Sequence, residues 1–117
     1  MTIKYFAILK KRSGLTQEEF FRYWKEVHAP LAMSIIPAFK KGIQKYVQYH
    51  AISMPGFESE IDGIVELTFD DLETLQNYLA WRKTEAAKPL LEDEIKFQEK
   101  QKGKVLFWAE EHIMKSE

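Results

Sequence analysis

The sequence predicts an α+β domain of order β-α-β-β-α-β, and three observations carry that prediction. Four short segments have strand composition, capping signals open two helical stretches, and each of the outer strand pairs is joined across a helix. A chain of 117 residues fits a single domain spanning 1–117. Such a chain buries roughly two-thirds of its unfolded surface.

Taken in order, residues 3–10 (IKYFAILK) are rich in strand formers and apolar on both alternating faces, as a central, doubly covered strand requires. Ser13 and Gly14 make the turn, and Thr16 with Glu19 forms a capping box. The helix it opens is expected to run to about His28. At about 100° per residue, Phe20, Trp24, Val27 and Leu31 form one stripe, with Phe21 and His28 along its edge. Pro30 has no N–H for the carbonyl of Glu26, so regular helix is expected to fail within a residue or two of His28. Residues 31–42 are mixed, with a short helical turn around Ala32–Ile36 before the breakers Pro37 and Gly42.

Residues 43–52 read as the second strand, with Tyr46, Gln48 and His50 on one face and Val47 and Tyr49 on the other. Residues 53–62 form a polar connecting loop, and 63–69 the third strand. Asp70 with Glu73 repeats the capping pattern and opens a helix carrying Leu72, Leu75 and Leu79. Pro89 suits the first turn of a separate short helix over 88–100, and Gly103 leads into the last strand over 104–114. Right-handed crossovers turn this order into a four-stranded antiparallel sheet with both helices on one face, the ferredoxin-like arrangement. The first and last strands are apolar on both sides, with Val105, Phe107 and Ala109 opposite Leu106 and Trp108. Helices cover one face only, so a second copy of the chain is expected over the other, as a homodimer.

Composition narrows the function. Hydrophobic residues at 45% and charged residues at 30% describe an ordinary globular chain, and 14% aromatic content favours large apolar contacts. A net charge of −1 draws the chain to neither nucleic acid nor an anionic membrane. With no cysteine there are no disulfides, thiolate nucleophiles, Cys-type zinc sites or iron–sulfur clusters. No apolar run approaches spanning length, and a cytoplasmic location is expected.

His28 is the leading chemical candidate, since an imidazole exchanges protons near neutrality; the bland alternative is a helix-end charge. His50 shares a strand face with Tyr46 and Gln48, a row that either lines a polar-tipped pocket or is a satisfied polar row on a half-exposed strand. Trp24 and Phe21, with Phe20 and Tyr23, either bound a hydrophobic ligand or pack as core. Trp81 and Arg82 could close the other side of a cavity, Arg82 reading more simply as a helix-end charge. Glu110 and His112 form an E-x-H pair that lacks further ligands, so no metal is expected, and an interface role is the alternative. Glu92, Asp93 and Glu94 read as solvated helix-start charges. Lys40, Lys41 and Lys45 are too few for a phosphate track, no Gly-rich phosphate loop occurs, and no serine has a nucleophile-elbow context.

Phe20-x3-Trp24-x3-His28-x-Pro30-Leu31 after Gly14-Leu15-Thr16, then Tyr46-Val47-Gln48-x-His50 and the terminal Glu110-Glu111-His112, resembles the EthD family. That family takes its name from a bacterial system degrading ethyl tert-butyl ether and belongs to the dimeric α/β barrel superfamily. The resemblance implies two ferredoxin-like protomers with joined sheets. It also implies kinship with dehydratase- or decarboxylase-like proteins of polyketide pathways, cofactor-free monooxygenases, cyclases, lactone isomerases and haem degraders. The functional expectation is acid/base work by His28 on a small hydrophobic, aromatic or polyketide-like molecule, of oxidoreductase, dehydratase or cyclase type. His50 or Tyr46 would polarise an oxygen, Trp24, Phe21, Gln48 and Trp81 would contact substrate, and no cofactor is needed. The alternative is a non-catalytic binding or accessory protein using the same cavity.

Overall fold

In a computed structural model of the chain, which describes residues 2–100 and 105–117, the four strands take the order β2-β3-β1-β4. Central β1 (Ile3–Leu9) pairs antiparallel with β3 (Gly63–Phe69) on one side and with β4 (Leu106–Glu110) on the other. β2 (Ile43–His50) pairs antiparallel with β3 and forms one edge. The first crossover runs through α1 (Gln17–Tyr23), a π-helical turn (Trp24–His28) and α2 (Ala29–Ile35). The second runs through α3 (Leu72–Trp81) and α4 (Lys88–Phe97). Helices lie on one face of the sheet, the ferredoxin-like arrangement.

The capping box forms as read: the Thr16 hydroxyl accepts from the Glu19 amide at 3.1 Å, and the Thr16 amide donates to Glu19 Oε1 at 2.9 Å. At α3 the cap is Asp71, not Asp70. Asp71 Oδ1 accepts from the amide and the hydroxyl of Thr74 at 2.8 and 2.7 Å, while Asp70 accepts from Gln44 Nε2 at 2.7 Å. Two adjacent aspartates compete for that role, and the one in extended conformation next to the first helical residue takes it. Strands and helices also end sooner than the sequence implies. β2 stops at His50, and α4 stops at Phe97 because Gln98 turns extended and bridges to Lys11. Gly103 and Lys104, where the last strand was expected to begin, lie outside the described residues.

The helix expected to break at His28 does not end there. Ala29 N–H reaches back five residues to the Trp24 carbonyl, and α-helix resumes with Pro30 in its first turn. Proline forbids one hydrogen bond and crowds one carbonyl; widening the turn before it relieves both without ending the helix. The extra residue rotates everything beyond it by about 100°. The buried stripe therefore runs Phe20, Trp24, His28, Ala32 instead of through Val27, which is 46% exposed. His28 moves from the edge of the stripe into its centre.

Helix-facing residues of the sheet form the core: Ile3, Tyr5 and Ala7 of β1 and Leu67 and Phe69 of β3 pack on Leu75, Tyr78 and Leu90. A second cluster joins Leu9, Phe20, Trp24 and Phe97. Gly63 is required by close approach: a Cβ there would lie 2.5 Å from Trp24 Cζ3. Among the described residues no helix covers the opposite sheet face. At its centre Lys4 Nζ donates to Thr68 Oγ1 at 2.8 Å and pairs with Glu66 and Glu111 at 3.5 Å each, and Tyr49 donates to Glu66. Around that network Phe107 and Tyr49 stay 58% and 48% exposed.

Candidate active site in the cavity between sheet and helices

A cavity of about 50 Å³ lies between the helix-facing side of the sheet and the helices. Since one water needs about 10–15 Å³ on this measure, the space suits a few waters or an organic molecule of a few heavy atoms. Ala7, Leu9, Val65, Leu67 and Leu90 supply apolar walls; Tyr5, Trp24, His28, Tyr46, Tyr78, Arg82, Glu94 and Gln98 supply polar atoms.

His28 reaches the cavity because the π turn rotates it inward. Its Nδ1 lies 2.9 Å from Oδ2 of Asp93 on α4, with both side chains buried. The other carboxylate oxygen of Asp93 accepts from the Tyr23 hydroxyl at 2.5 Å, and Lys96 Nζ stands 3.8 Å away. Burial first, then the Asp93 hydrogen bond, pushes the Tyr23 hydroxyl up to about 12, so it donates to Asp93 throughout the neutral range. A carboxylate on Nδ1 fixes the ring's tautomer and orientation, and it stabilises the imidazolium formed when the other nitrogen takes a proton. Asp93 was read from sequence as a solvated helix-start charge. The correction has a local signal: Leu90, Asp93 and Phe97 are the buried residues of α4, at i, i+3 and i+7, so the carboxylate occupies a core position of that helix.

A second polar pair lines the cavity: Arg82 and Glu94 are bidentate at 3.0 and 2.8 Å, and Arg82 also donates to the Tyr78 hydroxyl at 3.2 Å. Burial works against the guanidinium's charge, but Glu94 and Tyr78 outweigh it and hold Arg82 above its usual range. Arg82 is thus a partly buried cavity residue at the C-terminal end of α3, so the cavity reading and the helix-end position of the sequence analysis both apply. Burial raises the hydroxyls of Tyr5, Tyr46 and Tyr78, the last opposed by Arg82. All three are neutral O–H groups at physiological pH.

The remaining sequence candidates divide. Tyr46 and Trp24 line the cavity; His50, Gln48, Phe21 and Trp81 are not among its lining residues. Gln48 Nε2 donates to the Tyr46 hydroxyl at 3.0 Å and to the Trp24 carbonyl at 3.1 Å, and Gln48 Oε1 lies 2.9 Å from His50 Nε2. His50 stacks on Phe21 and Trp24 at centroid distances of 4.4 and 4.8 Å. Trp81 stacks on Tyr78 and borders a separate open groove beside Pro37 and Asp71. Glu110 and His112 stand 3.3 Å apart on exposed chain, and among the described residues no group of three metal-ligating side chains is assembled. Asp93 and Glu94 are the site residues that the sequence presents as solvated charges, while Tyr23, named there as a ligand-bounding or core ring, donates to Asp93.

No curated protein matches the chain. Its fold matches solved structures along nearly its full length. An ethyl tert-butyl ether d (EthD) family protein from Bacillus halodurans is 25% identical, with a TM-score of 0.67 over 96% of this chain and 100% of the other. A dimeric protein with a ferredoxin-like fold from Bacteroides fragilis is 16% identical, with a TM-score of 0.57 over 93% and 95%. A hydroxynitrile lyase from Passiflora edulis is 14% identical, with a TM-score of 0.60 over 92% and 91%. The EthD domain model matches residues 12–101, a span that holds the π turn, His28, Asp93 and all but the first strand residues of the cavity, and the chain therefore belongs to the EthD family.

Proposed function

We propose that this protein is an acid/base catalyst acting on a small organic molecule held between sheet and helices, with His28 as the proton-transferring group. The observation that carries the reading is the buried Asp93–His28 pair, whose imidazole lines the cavity. With Nδ1–H donated to Asp93, Nε2 carries the lone pair that takes a proton from substrate and returns it to another atom. The Tyr46 hydroxyl, oriented by Gln48 and through it by His50, donates to the oxygen on which charge grows. Proton abstraction is a first step common to dehydratase, cyclase and cofactor-free oxidoreductase chemistry. A hydroxynitrile lyase of the same fold supports a catalytic use of this architecture.

The working unit in this proposal is a cytoplasmic homodimer joined through the helix-free sheet face. Phe107 and Tyr49 on that face and the dimeric neighbour of like fold support it. Light scattering should give twice the 13.8 kDa chain mass, and Phe107→Glu should shift it towards one chain.

Solvent-deuterium exchange into 2-butanone, followed by proton NMR, tests the chemistry. The wild-type protein should accelerate exchange over buffer, and His28→Gln should lose about 10²–10⁴-fold of that acceleration. Exchange that is unaccelerated, or unchanged in His28→Gln, favours the competing reading of a non-catalytic carrier with the same cavity.

A further inference from the structure

Trp24 is fully buried, yet its indole N–H has no hydrogen-bond partner among the described residues. Buried polar groups are almost always paired, because an unmade bond forfeits the hydration the group enjoyed in water. The orphan is the more telling because everything else about this side chain is settled. Its six-membered ring is wedged against Gly63, its face stacks on His50 and its carbonyl receives two donors. The far edge at Gly63 leaves the pyrrole edge on the Tyr46 side. There Nε1–H opposes the rise that burial imposes on the Tyr46 hydroxyl, without forming a bond of acceptable geometry. Both groups line the same cavity. The Tyr46 oxygen already accepts from Gln48, so its own O–H is the group left to donate.

Two donors without an acceptor of their own therefore belong to residues lining one small space. The charges of the cavity cancel within it, where Arg82 is held bidentate by Glu94. A carboxylate or phosphate entering the cavity would have to break that largely buried pair or sit without a counter-charge. A hydrocarbon would leave both donors unmet. We propose that the ligand is a neutral carbonyl compound of a few heavy atoms, its oxygen received by Trp24 Nε1–H and Tyr46 Oη–H. This assignment rests on the reading of the cavity as a ligand site and names its substrate class; it does not depend on His28 being the base.

The experiment uses three probes of one shape: 2-butanone, 2-methyl-1-butene and propionate. Binding to ¹⁵N-labelled protein is followed at the indole N–H resonances of the three tryptophans, Trp24 being the one lost in Trp24→Phe. Butanone should move the Trp24 indole signal downfield and bind about tenfold or more tighter than the alkene, with propionate not binding. Trp24→Phe should collapse the ketone-to-alkene ratio towards one, and Tyr46→Phe, which removes a single hydroxyl, should lower it independently if the tryptophan variant fails to fold. The ketone-to-alkene ratio and the indole shift are read from binding alone, with no turnover, which separates this proposal from the catalytic one. Alkene binding as tight as ketone, tighter binding of propionate, or no shift of the Trp24 indole with any probe would overturn the assignment.

Discussion

His28 packs on Phe97 and His50 on Trp24, two rings of one aromatic cluster, and the contrast between the histidines shows what turns an imidazole into a candidate base. His28 is buried on the cavity wall with a carboxylate on Nδ1. His50 is sandwiched on Phe21 and Trp24, is only partly buried and has a neutral amide on Nε2. Burial first, and the Lys25 charge second, lower its affinity for a proton. One ring is held by a charge that stabilises its protonated form; the other is built to stay neutral. Residue type and strand alternation make the two look equivalent. The partner of the ring nitrogen and the access to the cavity separate them.

The largest effect expected from breaking this contrast is at Asp93. Asp93→Asn keeps the shape but lets the amide N–H face Nδ1, which favours the wrong tautomer of His28. Butanone exchange should fall by about 10²-fold or more while butanone binding stays within a few-fold. A loss of the same size in His50→Phe would erase the distinction drawn here, because that ring acts only through Gln48 and Tyr46.

Next in size is a stability effect at the Arg82–Glu94 pair. Glu94→Gln leaves the Arg82 guanidinium without its charge partner in a largely buried setting. About 2–3 kcal/mol of unfolding free energy should be lost in urea titration, at the lower end of the range for fully buried pairs because both side chains keep some water. The double change Arg82→Met with Glu94→Leu should recover most of it, since no buried charge then remains. That pair should scarcely alter the exchange rate per bound butanone, in contrast to Asp93→Asn.

Much of this fold was legible in the sequence. Strand and helix periods, the Thr16 capping box and the doubly apolar edge strand all act locally, and local patterns survive in one dimension. The site was legible only in part. Pro30 was read as a stop because the rule for α-helix counts one lost bond; the chain instead lengthens one turn, and that single added residue decides that His28 and not Val27 faces inward. Asp93 was hidden by its neighbours, since Glu92-Asp93-Glu94 reads as a solvated run. Only its place in the buried stripe between Leu90 and Phe97 marks it, and its partner is 65 residues away, beyond any local signal. Arg82 was legible as a possible cavity wall, but its ion pair was not: a cation near a helix end looks exposed until a second helix supplies its carboxylate.

The smallest effect is the pH signature of His50. Its folded-state proton affinity lies below the ordinary value near 6.5, chiefly through burial against Phe21 and Trp24. The unfolded chain therefore takes up a proton at this position at a higher pH than the folded one does. The stabilisation from a neutral His50 is complete above about pH 6.5 and is lost as pH falls from there through the lowered folded value. His50→Phe keeps the aromatic stack and removes the titration. The urea midpoint of the wild type should fall more between pH 8 and pH 5 than that of His50→Phe, the difference being a fraction of a molar. A wild-type midpoint that rises on acidification relative to the variant would mean that His50 gains a proton on folding, and it would then stand as a second candidate acid beside His28.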